Sequence, residues 1–264
     1  MSQETMDRRE RATRYQLTFP SENGLDQDQE WCVVRTNGFE RRVRFHDYGD
    51  IYDLPGLYEQ LFYEHMECRS PKTVAQLLTA ELERSRVNPG SLRVFDVGAG
   101  NGMMGEEVAA IAPDAMIGVD IIPEAAAAAE RDRPGLYDDY FVLDLTELDD
   151  DVRGDLESRS LNMLTCVAAL GFGDIPPAAF AAAYDVLTPD AWLAFSIKTD
   201  FLDEEGGSGF ATLIRELVDR GMIEIRARER YRHRLSAAGD PVHYVALVAA
   251  KRSPEPAGPI AADL

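Results

Sequence analysis

The run Val94-Phe95-Asp96-Val97-Gly98-Ala99-Gly100-Asn101-Gly102 constrains this chain more than any other feature. A short apolar strand over 92–97 passes into a glycine-rich turn and then into a helix-forming stretch over 103–111. In an open parallel sheet such a turn lies outside the carboxyl end of a strand, where ligands bind. Glycine there brings the backbone close to a bound group with no Cβ in the way. The same alternation continues downstream. Apolar strands are predicted at 115–121, 140–143, 161–167 and 192–197, and helices from Pro123 up to a stop at Pro134-Gly135 and over 177–187 and 210–220. Two long strands, 222–234 and 242–250, flank Ser236-Ala237-Ala238-Gly239-Asp240 with no helix between them, so they must pair antiparallel. The expected fold is α/β: a doubly wound, seven-stranded, mostly parallel sheet with a C-terminal antiparallel strand pair.

Upstream, Asn37-Gly38 between apolar runs predicts a hairpin, and the aromatic stretch after it predicts two helices forming a lid. The expected organisation is a flexible tail over 1–30, a hairpin and helical lid over 31–90, the main domain over 91–252, and a second tail over 253–264. A length of 264 residues fits this plan, and its core needs no disulfide or metal staple. The three cysteines, Cys32, Cys68 and Cys166, are odd in number and far apart, which gives no metal spacing and suggests a reducing compartment. No run of 18 apolar residues and no apolar leader segment is present, so a cytoplasmic location is expected and a membrane span is not. The net charge of −20 argues against nucleic acid as a partner over most of the surface. All but three of the 27 basic residues are arginine.

The glycine loop alone does not decide its ligand, because Gly100, Gly102 and Gly105 also satisfy the dinucleotide spacing G-x-G-x-x-G. The neighbouring carboxylates say more. Asp96 stands at the tip of the first strand, where it would repel a pyrophosphate and attract an ammonium group. Asp120 ends the second strand, where a carboxylate can accept from both ribose hydroxyls. Asp144 ends the third, within reach of an exocyclic adenine amine. An ammonium, a vicinal diol and an adenine amine together describe S-adenosylmethionine.

With these residues in register, the segment 91–252 resembles the class I S-adenosylmethionine-dependent methyltransferases, particularly the small-molecule type related to ubiquinone/menaquinone-biosynthesis enzymes. Asp96-Val97-Gly98-Ala99-Gly100-Asn101-Gly102 matches that family's acidic-x-Gly-x-Gly-x-Gly motif. The resemblance implies S-adenosyl-L-methionine as cofactor, held by Asp96, Gly98, Ala99, Gly100, Gly102, Asp120, Ile121, Asp144, Leu145 and Val167. It implies methyl transfer to a small molecule. Two departures stand out: Thr188-Pro189-Asp190-Ala191 replaces the usual Pro-Gly-Gly turn, and Thr165-Cys166-Val167-Ala168-Ala169-Leu170 lacks the Asn/Asp-Pro-Pro-aromatic signature of amine-nitrogen methylators. Two alternatives stay open at this stage: an NAD(P)-binding oxidoreductase, and a catalytically silent cofactor-binding module.

No catalytic residue follows from the motif, since a sulfonium is already an activated leaving group. His46 and His65 are the base candidates, and Tyr48, Tyr52, Tyr58 and Tyr63 the candidate lid lining. His46, His65, His233 and His243 make no metal pattern. Arg226, Arg228, Arg230, Arg232 and Arg234 alternate, which predicts five side chains on one face of a charged edge strand. Gly206-Gly207-Ser208-Gly209 is expected as a loop that could touch substrate.

Overall fold

The computed structural model describes residues 14–20, 25–36, 38–170, 174–202, 209–262 and 264. Asn37 of the hairpin signal and Gly206-Gly207-Ser208 lie outside the described residues. Two sheets are present among them. β1 (Gln16–Thr18), β2 (Trp31–Thr36) and β3 (Phe39–Arg44) form a small antiparallel sheet. β4 (Arg93–Val97), β5 (Ala115–Asp120), β6 (Asp139–Val142), β7 (Met163–Leu170), β8 (Trp192–Lys198), β9 (Ile223–Leu235) and β10 (Pro241–Lys251) form the large one. Its order is β6-β5-β4-β7-β8-β10-β9, parallel through β8 and antiparallel for β10 and β9.

Period-two alternation divides the large sheet's apolar residues between two cores. Phe95, Leu193, Phe195, Val245 and Leu247 face one side, against α6 (Pro177–Asp185) and α7 (Phe210–Asp219). Val94, Ala194, Tyr244, Ala246 and Val248 face the other. There they meet Val74, Leu78 and Leu82 of α2 (Ser70–Arg84), whose four-residue spacing makes one apolar stripe. So α2, expected in the lid, is a layer of the main domain. The lid proper comprises the small sheet, α1 (Tyr48–Tyr52) and a π-helical segment Glu59–His65, closed around Val34, Val43, Phe45, Ile51, Leu57 and Leu61.

Both expected tails also differ from the structure where they are described. β1 pairs with β2, and the Gln60 side chain completes its start by accepting from Tyr15 N (2.9 Å) and donating to Tyr15 O (2.7 Å). At the other end, α8 (Gly258–Ala261) buries Ala257, Ile260 and Ala261, and the Asp185 carboxylate accepts from Ala257 N (2.6 Å) and Gly258 N (3.1 Å). No helix among the described residues is long and apolar enough to cross a membrane.

The five alternating arginines do not share one face. β9 carries two irregularities against β10: Val242 and His243 face Arg234 and Arg232, and Val248 and Ala249 face Ala227 and Ile225. His233 and Arg226 are therefore the inserted residues, and each insertion shifts the alternation by one. Arg228 and Arg230 stay exposed on the sheet edge, while Arg234 turns inward. Its guanidinium pairs with Glu30 at 2.5 Å, the two side chains being 3% and 2% exposed. Glu30 also accepts from Ala237 N.

This pair bolts the lid to the C-terminal strands. Removing one partner of a buried, hydrogen-bonded ion pair strands the other charge and costs about 3–5 kcal/mol. Glu30→Ala is expected to lose that much in urea unfolding, and Glu30→Ala with Arg234→Met to recover most of it. A loss under about 1 kcal/mol for the single variant would contradict the bolt.

Candidate functional site

β4 and β7 are neighbours, yet the chain leaves β4 towards β5 on the opposite side. The gap between those two departures opens above the end of β4. Into it the glycine loop turns, with Gly98, Gly100 and Gly102 all left-handed at φ +67°, +55° and +88°. At Gly98 a Cβ would also stand 2.7 Å from Ile175 Cδ1 and 2.9 Å from Ala169 Cβ, so both conformation and space require glycine. At Gly100 the Tyr52 hydroxyl takes the place a side chain would need.

The loop is held from three directions. Asp120 accepts from Gly100 N (3.0 Å) through Oδ2 and from Ile122 N (3.1 Å) through Oδ1. Tyr140 donates to Gly100 O (2.8 Å). Beneath the loop, Asp96 is 1% exposed and accepts from the Tyr137 hydroxyl and from the Thr165 hydroxyl, each at 2.6 Å. Burial pushes the Asp96 carboxyl up to about 6, and burial raises Asp120 as well.

Two connected chambers lie over this loop. The outer crevice, about 430 Å³, is lined by Gly98, Asp120, Ile121, Asp144, Leu145 and Val167 among others. Asp144 Oδ1 accepts from Thr146 N (2.8 Å) and Thr146 Oγ1 (2.7 Å), which fixes its carboxylate at the crevice wall. Ile121 is 55% exposed, an uncovered apolar face beside Asp120. The inner chamber, about 60 Å³, runs from Gly98, Ala99, Gly100 and Asn101 towards β9 and β10 under the lid. Tyr48, Tyr52 and Tyr58 wall both chambers and stack in sequence, with centroids 6.2 Å and 5.1 Å apart, and Tyr63 lines the inner one. Burial raises all four phenols, so they are neutral.

The sequence-predicted residues therefore do not all sit in one place. Gly98, Val167, His46 and the first three tyrosines touch both chambers. Ala99 and Gly100 touch the inner one, and Asp120, Ile121, Asp144 and Leu145 the outer. Asp96 and Gly102 line neither, and the buried Asp96 carboxylate is held by Tyr137 and Thr165 instead. Gly105 has the Tyr137 hydroxyl 2.5 Å from where its Cβ would be, so its smallness admits Tyr137. Of the base candidates, His46 places Nδ1 3.1 Å from Asp174 Oδ2 at the junction of the chambers. His65 lies elsewhere: the π-helical segment turns it outward against Phe19, and it lines neither chamber.

Several site residues were not legible in the sequence. Tyr137, just before β6, and Thr165, within β7, brace Asp96, and Asp174 reaches His46 across 128 residues. Asn101 donates to Glu59 Oε1 (2.8 Å) but keeps a buried Oδ1 with no partner among the described residues. A cofactor with an ammonium arm, a diol and a flat base fits these features: Asn101 Oδ1 needs a donor, Asp120 faces the crevice, and Ile121 offers an apolar face. S-adenosylmethionine has all three.

Residues 95–195 match the family described as a methyltransferase domain. No curated protein matches the chain. Among solved structures it is similar to the N-methyltransferase NodS of Bradyrhizobium japonicum in complex with S-adenosyl-L-homocysteine (16% identity, 69% of this chain and 87% of that one, TM-score 0.49). It is similar also to the magnesium protoporphyrin IX methyltransferase of Synechocystis with bound S-adenosylmethionine (18%, 69% and 79%, TM-score 0.47). A third is a Thermoplasma acidophilum protein (17%, 69% and 86%, TM-score 0.49).

The Asp96 carboxyl yields a pH test. Its folded value of about 6 lies above the ordinary 3.8, so the folded chain binds that proton more tightly than the unfolded one. The stability it contributes is complete below the unfolded value and is lost as pH rises through the folded one. Asp96→Asn is therefore expected to stabilise the ligand-free protein at pH 8, by about 2–3 kcal/mol, and to change little at pH 4. Thermal melts at both pH values check this; a uniform loss would contradict it.

Proposed function

We propose that this S-adenosylmethionine-dependent methyltransferase, with its methyltransferase domain over residues 95–195, methylates a small organic molecule enclosed beneath the aromatic lid. The observation that carries the reading is the inner chamber, which shares Gly98, Val167 and the Tyr48, Tyr52 and Tyr58 walls with the outer crevice. A nucleoside in the crevice and an acceptor in the chamber would meet at Gly98.

When bound, S-adenosylmethionine supplies a methyl group already activated by its sulfonium. The chain's own task is to hold two molecules in line and keep water out. Asp120 would accept from the ribose hydroxyls while continuing to tie down Gly100 and Ile122. Asp144 would face the adenine edge, Ile121 its ring, and Asn101 Oδ1 the ammonium. The stacked tyrosines exclude water and present ring faces that suit a sulfonium cation. His46, oriented by Asp174, is placed to receive a proton from an acceptor that must lose one.

A net charge of −20 and a small chamber walled by the lid's tyrosines both support a small molecule over a polyanion as acceptor. The likeness to ubiquinone/menaquinone-biosynthesis methyltransferases rests on the motif and agrees with that class. The dinucleotide alternative is not favoured, since residues 95–195 match a methyltransferase domain. A silent binding module would have no use for an enclosed space beside Gly98.

Calorimetry with S-adenosylhomocysteine tests the reading. Saturable binding is expected for the wild type, with NAD(P) giving none. Asp120→Ala should weaken S-adenosylhomocysteine at least tenfold, since it removes both the ribose acceptor and the Gly100 tie. Equal affinity in the variant, or preference for NAD(P), would sink the assignment.

A further inference from the structure

The inner chamber has a far end whose chemistry differs from its walls. Neighbouring strands lie about 4.8 Å apart, so the order β4-β7-β8-β10 sets roughly 14 Å between the glycine loop and Tyr244 on β10. Four side chains close that end: Gln27, His233, Arg234 and Tyr244. Three of them each make at least one hydrogen bond, and together with Glu30 they carry no net charge into the chamber. Arg234 is neutralised by Glu30 and donates from Nη1 to Leu235 O (2.8 Å). His233 is held neutral by burial, with Nδ1 2.6 Å from the Ser70 hydroxyl and its ring stacked on Tyr244 at 4.0 Å. Tyr244 accepts from Gln27 Nε2 (2.9 Å).

Gln27 is the exception. Its Oε1 is buried and has no partner among the described residues. A buried amide oxygen left unpaired is destabilising. Rotating the amide by half a turn does not cure this. The Tyr244 hydroxyl can donate as well as accept, but Nε2 would then be the pole without a partner. The site is complete only when its occupant brings a polar group to Gln27.

We propose that this far end anchors the methyl acceptor, and that the acceptor is a single uncharged ring with a hydroxyl or amino donor that meets Gln27 Oε1. The inference rests on the methyltransferase reading and deepens it. The size follows from the chamber: about 60 Å³ of free space, at roughly 10–15 Å³ per water-sized position, admits four to six such positions, one ring. The ring character follows from walls of Phe45, Tyr48, Tyr58 and Phe62, which favour offset or edge contacts with another aromatic face. The lack of charge follows from the far end. Among the described residues there, a carboxylate finds one cation, Arg234, already paired. An ammonium finds Glu30 already held by Arg234 and Ala237 N. The anchoring donor lies across the chamber from the glycine loop, so it is distinct from the atom that takes the methyl group.

The test uses the full chain loaded with S-adenosylhomocysteine and three probes read by fluorine NMR: 4-fluorophenol, 4-fluorotoluene and 4-fluorobenzoate. The phenol is expected to bind saturably and at least fivefold more tightly than the toluene, with the benzoate weakest. Gln27→Met, which keeps length and removes the acceptor, should erase the phenol preference and leave S-adenosylhomocysteine affinity unchanged. Gln27→Glu, which keeps an acceptor, should retain the preference, and it serves if the first variant folds poorly. No saturable phenol binding, equal binding of phenol and toluene, preference for the benzoate, or a preference that survives Gln27→Met each overturns the proposal. Because S-adenosylhomocysteine affinity is measured in the same samples, the two readings fail separately. Cofactor binding without phenol preference removes this inference alone. Phenol preference without cofactor binding removes the function on which it rests.

Discussion

The arrangement of this protein depends on a gap that the backbone cannot fill. Strands β4 and β7 lie side by side, but the chain departs from their ends in opposite directions. A concave edge results whatever the side chains are. The glycine loop converts that edge into a recognition surface, because its three left-handed residues turn the backbone tightly and leave no side chain over the opening. Two carboxylates near the loop are used differently. Asp120 faces the crevice while gripping backbone N–H groups, and Asp96 lies beneath, gripped by two hydroxyls.

The lid supplies what an open sheet edge lacks. Its tyrosines stack over the loop, and Tyr52 reaches the space that Gly100 leaves vacant. Neutral phenols suit this position, since they shield the chamber from water without setting a charge against the cofactor. The lid is in turn held by the Glu30–Arg234 pair, which depends on the irregularity at His233 that turns Arg234 inward. A defect in strand alternation thus serves both the lid and the chamber's far wall.

Local patterns made most of the large sheet legible. Glycines, strand-end aspartates and the missing helix between β9 and β10 each act over a few residues, so the make-up of the sheet followed from sequence. Features that depend on remote partners did not. β1 is three residues long and gains its order from Gln60, which lies 45 positions away. Helix α2 reads as part of the lid by position, and only its apolar stripe against Val94 and Tyr244 assigns it to the sheet. The five arginines obey a strict two-residue rhythm in sequence, which insertions at Arg226 and His233 break in space. His46 and His65 look equivalent in the chain, and the turn of the π-helical segment separates them. Asp174 and Gln27 carry no motif at all.

The distance in sequence between Glu30 and Arg234, 204 residues, also bears on how the protein comes into being. Contacts this remote close late, after the loop entropy between them has been overcome. On a ribosome the residues that line the outer crevice have all emerged once α6 is made, but Gln27 meets Tyr244 only when the last strand pair is made. A nascent chain would therefore gain its nucleotide-sized cleft well before its inner compartment, and the compartment's assembly would mark the end of folding.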